Sequence, residues 1–366
     1  MGLYLGLMSG TSMDAIDAAL VDFAVSPLRI IAVSAAAFEP ELKRRIAAIL
    51  DSADCAALDE LGQIDVELAK AFAAAALALL RDAGISAGRV TAIGSHGQTL
   101  RHRPDLPIPF TWQIGDPNTL TEMTGITVVA DFRRRDVAAG GQGAPLLPVF
   151  HDQVFRSDEE DRVIANLGGI ANITILCRDT TVTGFDTGPA NRLLDAWISL
   201  HRGTDFDAGG AWAGTGRCDD TLLRELLDEP YLALRPPKST GRELFNLPWL
   251  KSKLGLFSRR PEDVQATLKQ FTAVTVAAAV RKHAPGAALY ACGGGAHNAG
   301  LLEAIAREVA PNPVATTRAL GLDPDYVEAV AFAWFARRTL DGLTSSAGSV
   351  TGAEGARILG GVYRYA

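Results

Sequence analysis

One kind of segment occurs twice in this chain of 366 residues, and it restricts the available folds more than any other feature. Leu3 to Phe23 reads LYLGLMSGTSMDAIDAALVDF and Arg162 to Arg178 reads RVIANLGGIANITILCR; each is an apolar strand, a glycine-containing turn and a second apolar strand. A tip built from Gly, Ser, Thr and Asn presents backbone N–H groups and hydroxyls without bulky side chains, which suits the oxygens of a polyphosphate. Each hairpin opens a separate half of the chain, so the pattern predicts two similar lobes closing on one nucleotide. Length agrees, because 366 residues are more than a single hydrophobic core usually serves.

Composition narrows the function classes. The chain is 48% hydrophobic and 21% charged with a net charge of -7, an ordinary soluble balance that argues against a nucleic-acid partner, which would call for clustered Lys and Arg. The only dense basic run, Arg133 to Arg135, sits between Asp131 and Asp136. Cys55, Cys177, Cys218 and Cys292 form no C-x-x-C pair, so neither a disulfide framework nor a zinc site is expected, and a reducing cytoplasm is the simplest setting. No secretory leader is read at the N-terminus, where the first strand starts at once. The most hydrophobic window, Ala71 to Leu80, is too short to span a bilayer, so no membrane partner is expected.

Strands at Leu28–Ala36, Val90–Ile93, Thr111–Ile114, Thr127–Ala130, Thr181–Gly184, Ala287–Ala291, Val314–Thr316 and Arg357–Tyr363 are expected to alternate with helices at Glu39–Ser52, Leu58–Ala83, Asn191–His201, Pro261–His283, Ala299–Val309 and Tyr326–Arg338. Alternation at these lengths points to α/β layers. A first lobe of residues 1–135 with 348–366 and a second of 136–347 follow, with glycine- and proline-rich Ala138 to Pro148 read as the crossing.

Three segments carry phosphate and nucleotide chemistry. In the first tip, Gly10 permits the turn, Thr11 and Ser12 offer donors, and Asp14 is a carboxylate able to hold Mg²⁺, although the same residue types also close ordinary hairpins. In the second, Asn166, Gly168 and Gly169 repeat that solution, and Gly184-Phe185-Asp186-Thr187-Gly188 follows. Asp186 ends a strand before a helix whose amino end favours anions; it reads either as a base beside a γ-phosphate or as a helix cap. In the third, Gly293, Gly294 and Gly295 followed by Asn298 depart from a dinucleotide fingerprint, since the run lies late in the chain and Asn298 replaces the third glycine. Flat glycine backbone there can pack against a purine and its sugar. No G-x-x-x-x-G-K-[ST] occurs, which removes a P-loop. Gln98 and Thr99 in Gly94-Ser95-His96-Gly97-Gln98-Thr99 are candidate sugar contacts at a strand end.

These segments in this order resemble the actin, Hsp70 and sugar-kinase superfamily, and more closely the anhydro-N-acetylmuramic acid kinase family. The residues carrying the resemblance are GLMSGTSMDAIDAALV from Gly6, GSHGQT from Gly94, DFRRRDVAAGGQGAPLLPVFH from Asp131, NLGGIANIT from Asn166, GFDTGPAN from Gly184, STGRELFN from Ser239, CGGGAHN from Cys292 and DPDYVEAVA from Asp323. Ala15 and Ala190 stand where the family has glycine. The resemblance implies a two-lobed, actin-like ATPase fold of the ribonuclease H-like kind with an interlobe cleft, ATP and Mg²⁺ as cofactors, and a homodimer. It implies that water opens the 1,6-bridge of anhydro-N-acetylmuramic acid while O6 takes the γ-phosphoryl group, as part of peptidoglycan recycling. By the same match Asp186 activates the water; Gly10, Thr11, Ser12, Met13, Asp14, Ala15, Ile16 and Asp17, with Asn166, Gly168, Gly169, Gly293, Gly294, Gly295 and Asn298, hold the nucleotide. Gln98, Thr99 and Glu328 meet the sugar, and one arginine of the basic run, Arg134, pairs with the lactyl carboxylate. Rival readings are a kinase for a plain 1,6-anhydrohexose and a non-catalytic ATP clamp of the Hsp70 or actin kind.

Overall fold

The two hairpins form as the sequence pattern predicts, and each seeds a sheet. The computed structural model describes residues 2–10, 13, 15–51, 57–255 and 259–366. Among them the strands are β1 (Leu3–Ser9), β2 (Ile16–Asp22), β3 (Arg29–Ala36), β4 (Ala92–Ser95), β5 (Gln98–Arg103), β6 (Phe110–Ile114), β7 (Val128–Ala130), β8 (Arg162–Leu167), β9 (Ile170–Leu176), β10 (Thr183–Pro189), β11 (Ala288–Cys292), β12 (Val314–Thr316) and β13 (Gly361–Tyr363). β1, β4 and β8 are buried along almost their whole length, which is why they read as continuous apolar runs rather than alternating ones.

The first sheet runs β3-β2-β1-β4-β7-β13 and the second runs β10-β9-β8-β11-β12. In each, the hairpin partners and the third strand are antiparallel, while the next two strands lie parallel to the first, at β1–β4–β7 and β8–β11–β12. The repeated hairpin is therefore the local sign of a repeated five-strand order, the ribonuclease H-like arrangement. β13 adds an antiparallel edge strand to β7 in the first sheet alone.

Two compact units contain these sheets: Met1–Phe150 with Tyr326–Ala366, and His151–Asp325. Both boundaries differ from the expected 135/136 and 347/348. The helix Arg134–Ala138 and its following loop belong to the first unit because buried Asp136 ties them there, accepting from the Gly143 amide at 2.8 Å and from Thr351 Oγ1 at 2.8 Å. The helix Val327–Leu340 belongs there because its backbone lies directly on β1 and β4. A β-carbon on Gly6 would stand 1.7 Å from the Ala329 carbonyl oxygen, and one on Gly94 would stand 1.9 Å from that of Phe332. Gly6 and Gly94 are register partners in the parallel β1–β4 pair, so one flat glycine strip seats the helix.

The Leu58–Asp82 helix buries Ile64, Leu68, Phe72 and Leu79 with the β1–β2 residues Leu5, Leu7, Ile16 and Leu20. The Pro261–His283 helix does the same for the second sheet through Ala273, Val276, Ala277 and Val280. Among the described residues no helix is long and apolar enough to cross a membrane. Gln98 and Thr99, read from sequence as loop residues, begin β5, whose run of polar residues pairs antiparallel with β6 in a separate two-stranded sheet.

Candidate functional site

In the second unit, register places the polar residues in one row. Asp186 on β10 faces Asn172 on β9, Asn172 faces Asn166 on β8, and Asn166 faces Cys292 on β11. Directly opposed residues share a face, so three amide and carboxyl side chains form a line across the sheet. A bulge between Asp186 and Gly188 interrupts pairing where Asp186 sits. The residue is 6% exposed, and Oδ2 accepts from the Thr240 amide at 2.9 Å. Its main chain is held as well, with the amide donating to the Lys238 carbonyl at 3.3 Å and the carbonyl accepting from Tyr231 Oη at 3.0 Å. The Thr240 amide that donates to its carboxylate lies in the loop ahead of the Leu247–Leu254 helix, and the Asn191 helix is preceded by Ala190 with no side-chain cap, so Asp186 is not its cap.

The expectation that the Asn191 helix offers its amino end to an anion is corrected. The amides of Ala190 and Arg192 donate to the Gly169 carbonyl and that of Asn191 to the Gly168 carbonyl, each at 3.0 Å. Those donors lock the hairpin tip to the helix. Asn191 Nδ2 also donates to the Leu167 carbonyl at 2.9 Å.

The glycine cluster packs onto the same tip. Gly293, at φ +76°, leaves no room for a side chain: a β-carbon there would lie 2.5 Å from Asn166 Oδ1, and one on Gly295 would lie 2.6 Å from Leu167 Cβ. Gly294 is exposed and passes close to Asn191. Asn298 caps the Ala299–Val309 helix through Oδ1, which accepts from the Leu301 amide at 3.0 Å. Sequence reasoning passed over what packs against it. The 207–213 turn carries Asp207, whose carboxylate takes the amides of Trp212 and Ala213 at 2.8 and 2.9 Å, and bare Gly210 abuts Asn298 Oδ1. The signal was the Asp207-Ala208-Gly209-Gly210 sequence, a turn with a carboxylate able to close it.

In the first unit, Gly10 accepts from the Met13 amide at 3.2 Å, and Met13 adopts φ 54°. The side chains of Met13 and Ile16 are core residues, and Ile16 pairs with Ser9 on β1 and Ala36 on β3; Ala15 and Asp17 are half-buried. Thr11, Ser12 and Asp14 lie outside the described residues.

Gln98 is 0% exposed; its Oε1 accepts from Ser9 Oγ at 2.7 Å, and its Nε2 has no partner among the described residues. A buried amide left that way costs about 1–3 kcal/mol, so an acceptor on a bound molecule gains correspondingly. Thr99 Oγ1 accepts from Gln113 Nε2 at 3.1 Å. Glu328 is half-buried in the first turn of the Val327–Leu340 helix, beside the Ala329 carbonyl that Gly6 admits.

His96 is a brace. Burial first, then the charge of Arg133, hold its pKa well below the ordinary histidine range. The neutral ring must accept at Nε2, because Arg133 Nε donates there at 3.0 Å, so Nδ1 carries the proton and donates to the Gly97 carbonyl at 2.8 Å. Arg133 Nη1 also donates to the Gly143 carbonyl at 2.9 Å. Arg134 instead pairs with Asp131 at 2.9 Å with its side chain 60% exposed.

Residues 2–365 match the family described as anhydro-N-acetylmuramic acid kinase. The chain belongs to that family. It is similar to the anhydro-N-acetylmuramic acid kinases of Xanthomonas oryzae pv. oryzae, at 52% identity over 99% of this chain and 97% of the relative, and of Xylella fastidiosa, at 50% over 99% and 96%. Similarity to the anhydro-N-acetylmuramic acid kinase of Coxiella burnetii is 49% over 98% of this chain and 97% of the relative. Coverage this complete includes both hairpins, the Asp186 strand and the Gly293–Gly295 cluster of this family member.

Proposed function

We propose that this chain is an ATP-dependent kinase that opens 1,6-anhydro-N-acetylmuramic acid with water and phosphorylates the freed O6, yielding N-acetylmuramic acid 6-phosphate and ADP. Full-length similarity to relatives carrying that name supports the substrate. The observation supporting the chemistry is Asp186, a buried carboxylate at a strand bulge, braced by Thr240, Lys238 and Tyr231 and aligned with the Asn172–Asn166 row.

In this reading the Asp186 carboxylate takes a proton from water as its oxygen bonds to the anomeric carbon. The bond from that carbon to O6 breaks, O6 takes the γ-phosphoryl group, and ADP leaves. Asp186 then returns the proton to solvent, which balances the reaction. Two barriers are lowered by placement of the reacting groups rather than by covalent chemistry. The Gly168–Gly169 tip and Asn166 receive phosphate oxygens, and Gly293, Gly294, Gly295 and Asn298 receive the adenosine. Gly293 and Gly295, where a β-carbon would collide with Asn166 and Leu167, hold the cluster tight against the second hairpin tip, and exposed Gly294 between them offers side-chain-free backbone to a flat ligand. By the family resemblance the first hairpin tip, with Gly10, Thr11, Ser12, Met13, Ala15, Ile16 and Asp17, also lines the nucleotide. Asp14 would hold Mg²⁺, which when bound would supply charge neutralisation on the phosphates. Among the described residues no three His, Cys, Asp or Glu side chains gather as a metal site, so the assignment stands on the sequence motif. Gln98, Thr99 and Glu328 bind the sugar. Action in the cytoplasm within peptidoglycan recycling, and as a homodimer, rests on the family resemblance.

Turnover in oxygen-18 water tests the coupled reaction. Label is expected at the C1 hydroxyl of the product; an unlabelled product, or one still bridged between C1 and C6, would refute it. Specificity for the lactyl group is assigned to Arg134, whose exposed side chain would exchange half-buried Asp131 for a substrate carboxylate. Arg134→Ala is expected to raise KM for the muramyl sugar about tenfold and to leave KM for a 1,6-anhydrohexose lacking the lactyl group within about twofold. Steady-state kinetics with both sugars decide it, and an unchanged preference would move the role off Arg134.

A further inference from the structure

Lys238 places a buried ammonium beside the candidate base, and the reaction above does not use it. The residue is 8% exposed. Nζ donates to the carbonyls of Tyr231 at 3.2 Å and Leu232 at 3.1 Å, within the short helix Pro230–Ala233. It also lies 4.6 Å from the Tyr231 ring centroid and 5.9 Å from that of Phe185, the residue before Asp186. Asp186 is gripped by the three bonds already described, two from the loop carrying Lys238, through the Lys238 carbonyl and the Thr240 amide, and one from the Pro230–Ala233 helix, through the Tyr231 hydroxyl. Side chain and main chain of one residue therefore join the helix to the strand end.

Mechanical clamping does not call for a charge. Carbonyls and ring faces replace only part of the hydration of an ammonium, and an apolar side chain of equal length would fill the space without that cost. Burial pushes the Lys238 pKa down, Asp186 draws it back up, and Lys282 pushes it down again. The Lys238 carbonyl accepts from the Asp186 amide, and its ammonium lies by the rings of Phe185, the residue before Asp186, and Tyr231, which bonds the Asp186 carbonyl; a cation so placed beside a carboxylate favours its ionised form.

We propose that Lys238 is a positioning residue for the reaction, pinning the Asp186 strand end to the Pro230–Ala233 helix and holding the Asp186 carboxylate in the ionised form that accepts a proton from water. The inference rests on the reading of Asp186 as the base. Besides Asp186, the titratable groups facing Lys238 are Tyr231, Lys282 and, across the Phe185 ring, His283, whose pKa is lowered by burial and then by Lys282 and Lys238.

The test is the pH profile of kcat/KM for the anhydro sugar in the full-length enzyme. Lys238→Gln keeps an N–H donor for the two carbonyls and removes the charge; Lys238→Met removes both. Without the cation the carboxylate protonates more readily, so in either variant the acidic limb is expected to move to higher pH by about one unit. Tyr231→Phe breaks the hydroxyl bond to Asp186 and keeps the cation, and His283→Gln removes the other group able to titrate there; both are expected to leave the limb in place. An unmoved limb in both Lys238 variants, or an equal shift in Tyr231→Phe or His283→Gln, overturns the inference. Asp186→Asn separates the two readings: if it is inactive while the Lys238 limb stays put, only this inference fails, whereas surviving turnover removes the base assignment and this inference with it.

Discussion

Asp186→Asn is expected to lower kcat at least about a thousandfold while ATP affinity changes by no more than about twofold. The substitution preserves shape and an oxygen acceptor, so the Thr240 amide that donates to Oδ2 at 2.9 Å keeps a partner. What disappears is the negative charge and the capacity to hold the proton of water. Asp186→Ala would be a poorer test, because it also strips the Thr240 amide of its acceptor at a residue only 6% exposed. ATP affinity serves as the internal control, since the groups assigned to the nucleotide, at Gly10–Asp17, Asn166–Gly169 and Gly293–Asn298, stay untouched. Isothermal titration with a non-hydrolysable ATP analogue and single-turnover kinetics provide both readouts. Residual turnover above a few per cent would transfer the base role to another group.

Gly6→Ala is expected to destabilise the first unit by on the order of 4 kcal/mol or more, in the range where expression as folded protein fails. A methyl group at Gly6 would sit 1.7 Å from the Ala329 carbonyl oxygen and 2.7 Å from the Ala333 nitrogen. Both atoms are helix backbone, which moves only if the whole Val327–Leu340 helix lifts off the sheet. Lifting it would open contacts that bury Phe332, Ala333 and Phe335 and would displace Glu328, one residue from the carbonyl in question. Gly94→Ala meets the Phe332 carbonyl at 1.9 Å one strand over and should behave alike. Chemical denaturation of the purified variants measures the effect. A midpoint equal to that of the unsubstituted chain would show that the helix does not seat on the glycine strip.

Local patterns were legible where a few neighbouring residues settle the outcome. The Leu58–Asp82 and Pro261–His283 helices lie where period and end signals place them, with Gly84 at positive φ just past the first. Both hairpins and the strand-to-glycine passage at Ala288–Gly293 were equally plain. The unit boundaries were not, because they depend on what packs against residues far away. Asp136 reads as one more charge in a basic run until Thr351 and Gly143 are found on its two oxygens. His96 reads as a loop histidine until Arg133 occupies one ring nitrogen and the Gly97 carbonyl the other.

Sequence alone determined the family, the duplicated strand–turn–strand unit, the absence of a P-loop and the residues that gather near the second hairpin. Those follow from residue type and spacing over short stretches, where chain connectivity limits the alternatives. Only the tertiary structure decided that Gly6 and Gly94 seat a helix, that the amino end of the Asn191 helix is occupied by the Gly168 and Gly169 carbonyls, and that Lys238 lies against Asp186. Each depends on an approach between segments separated by tens to hundreds of residues, and close packing, rather than any local preference, selects which atoms meet there.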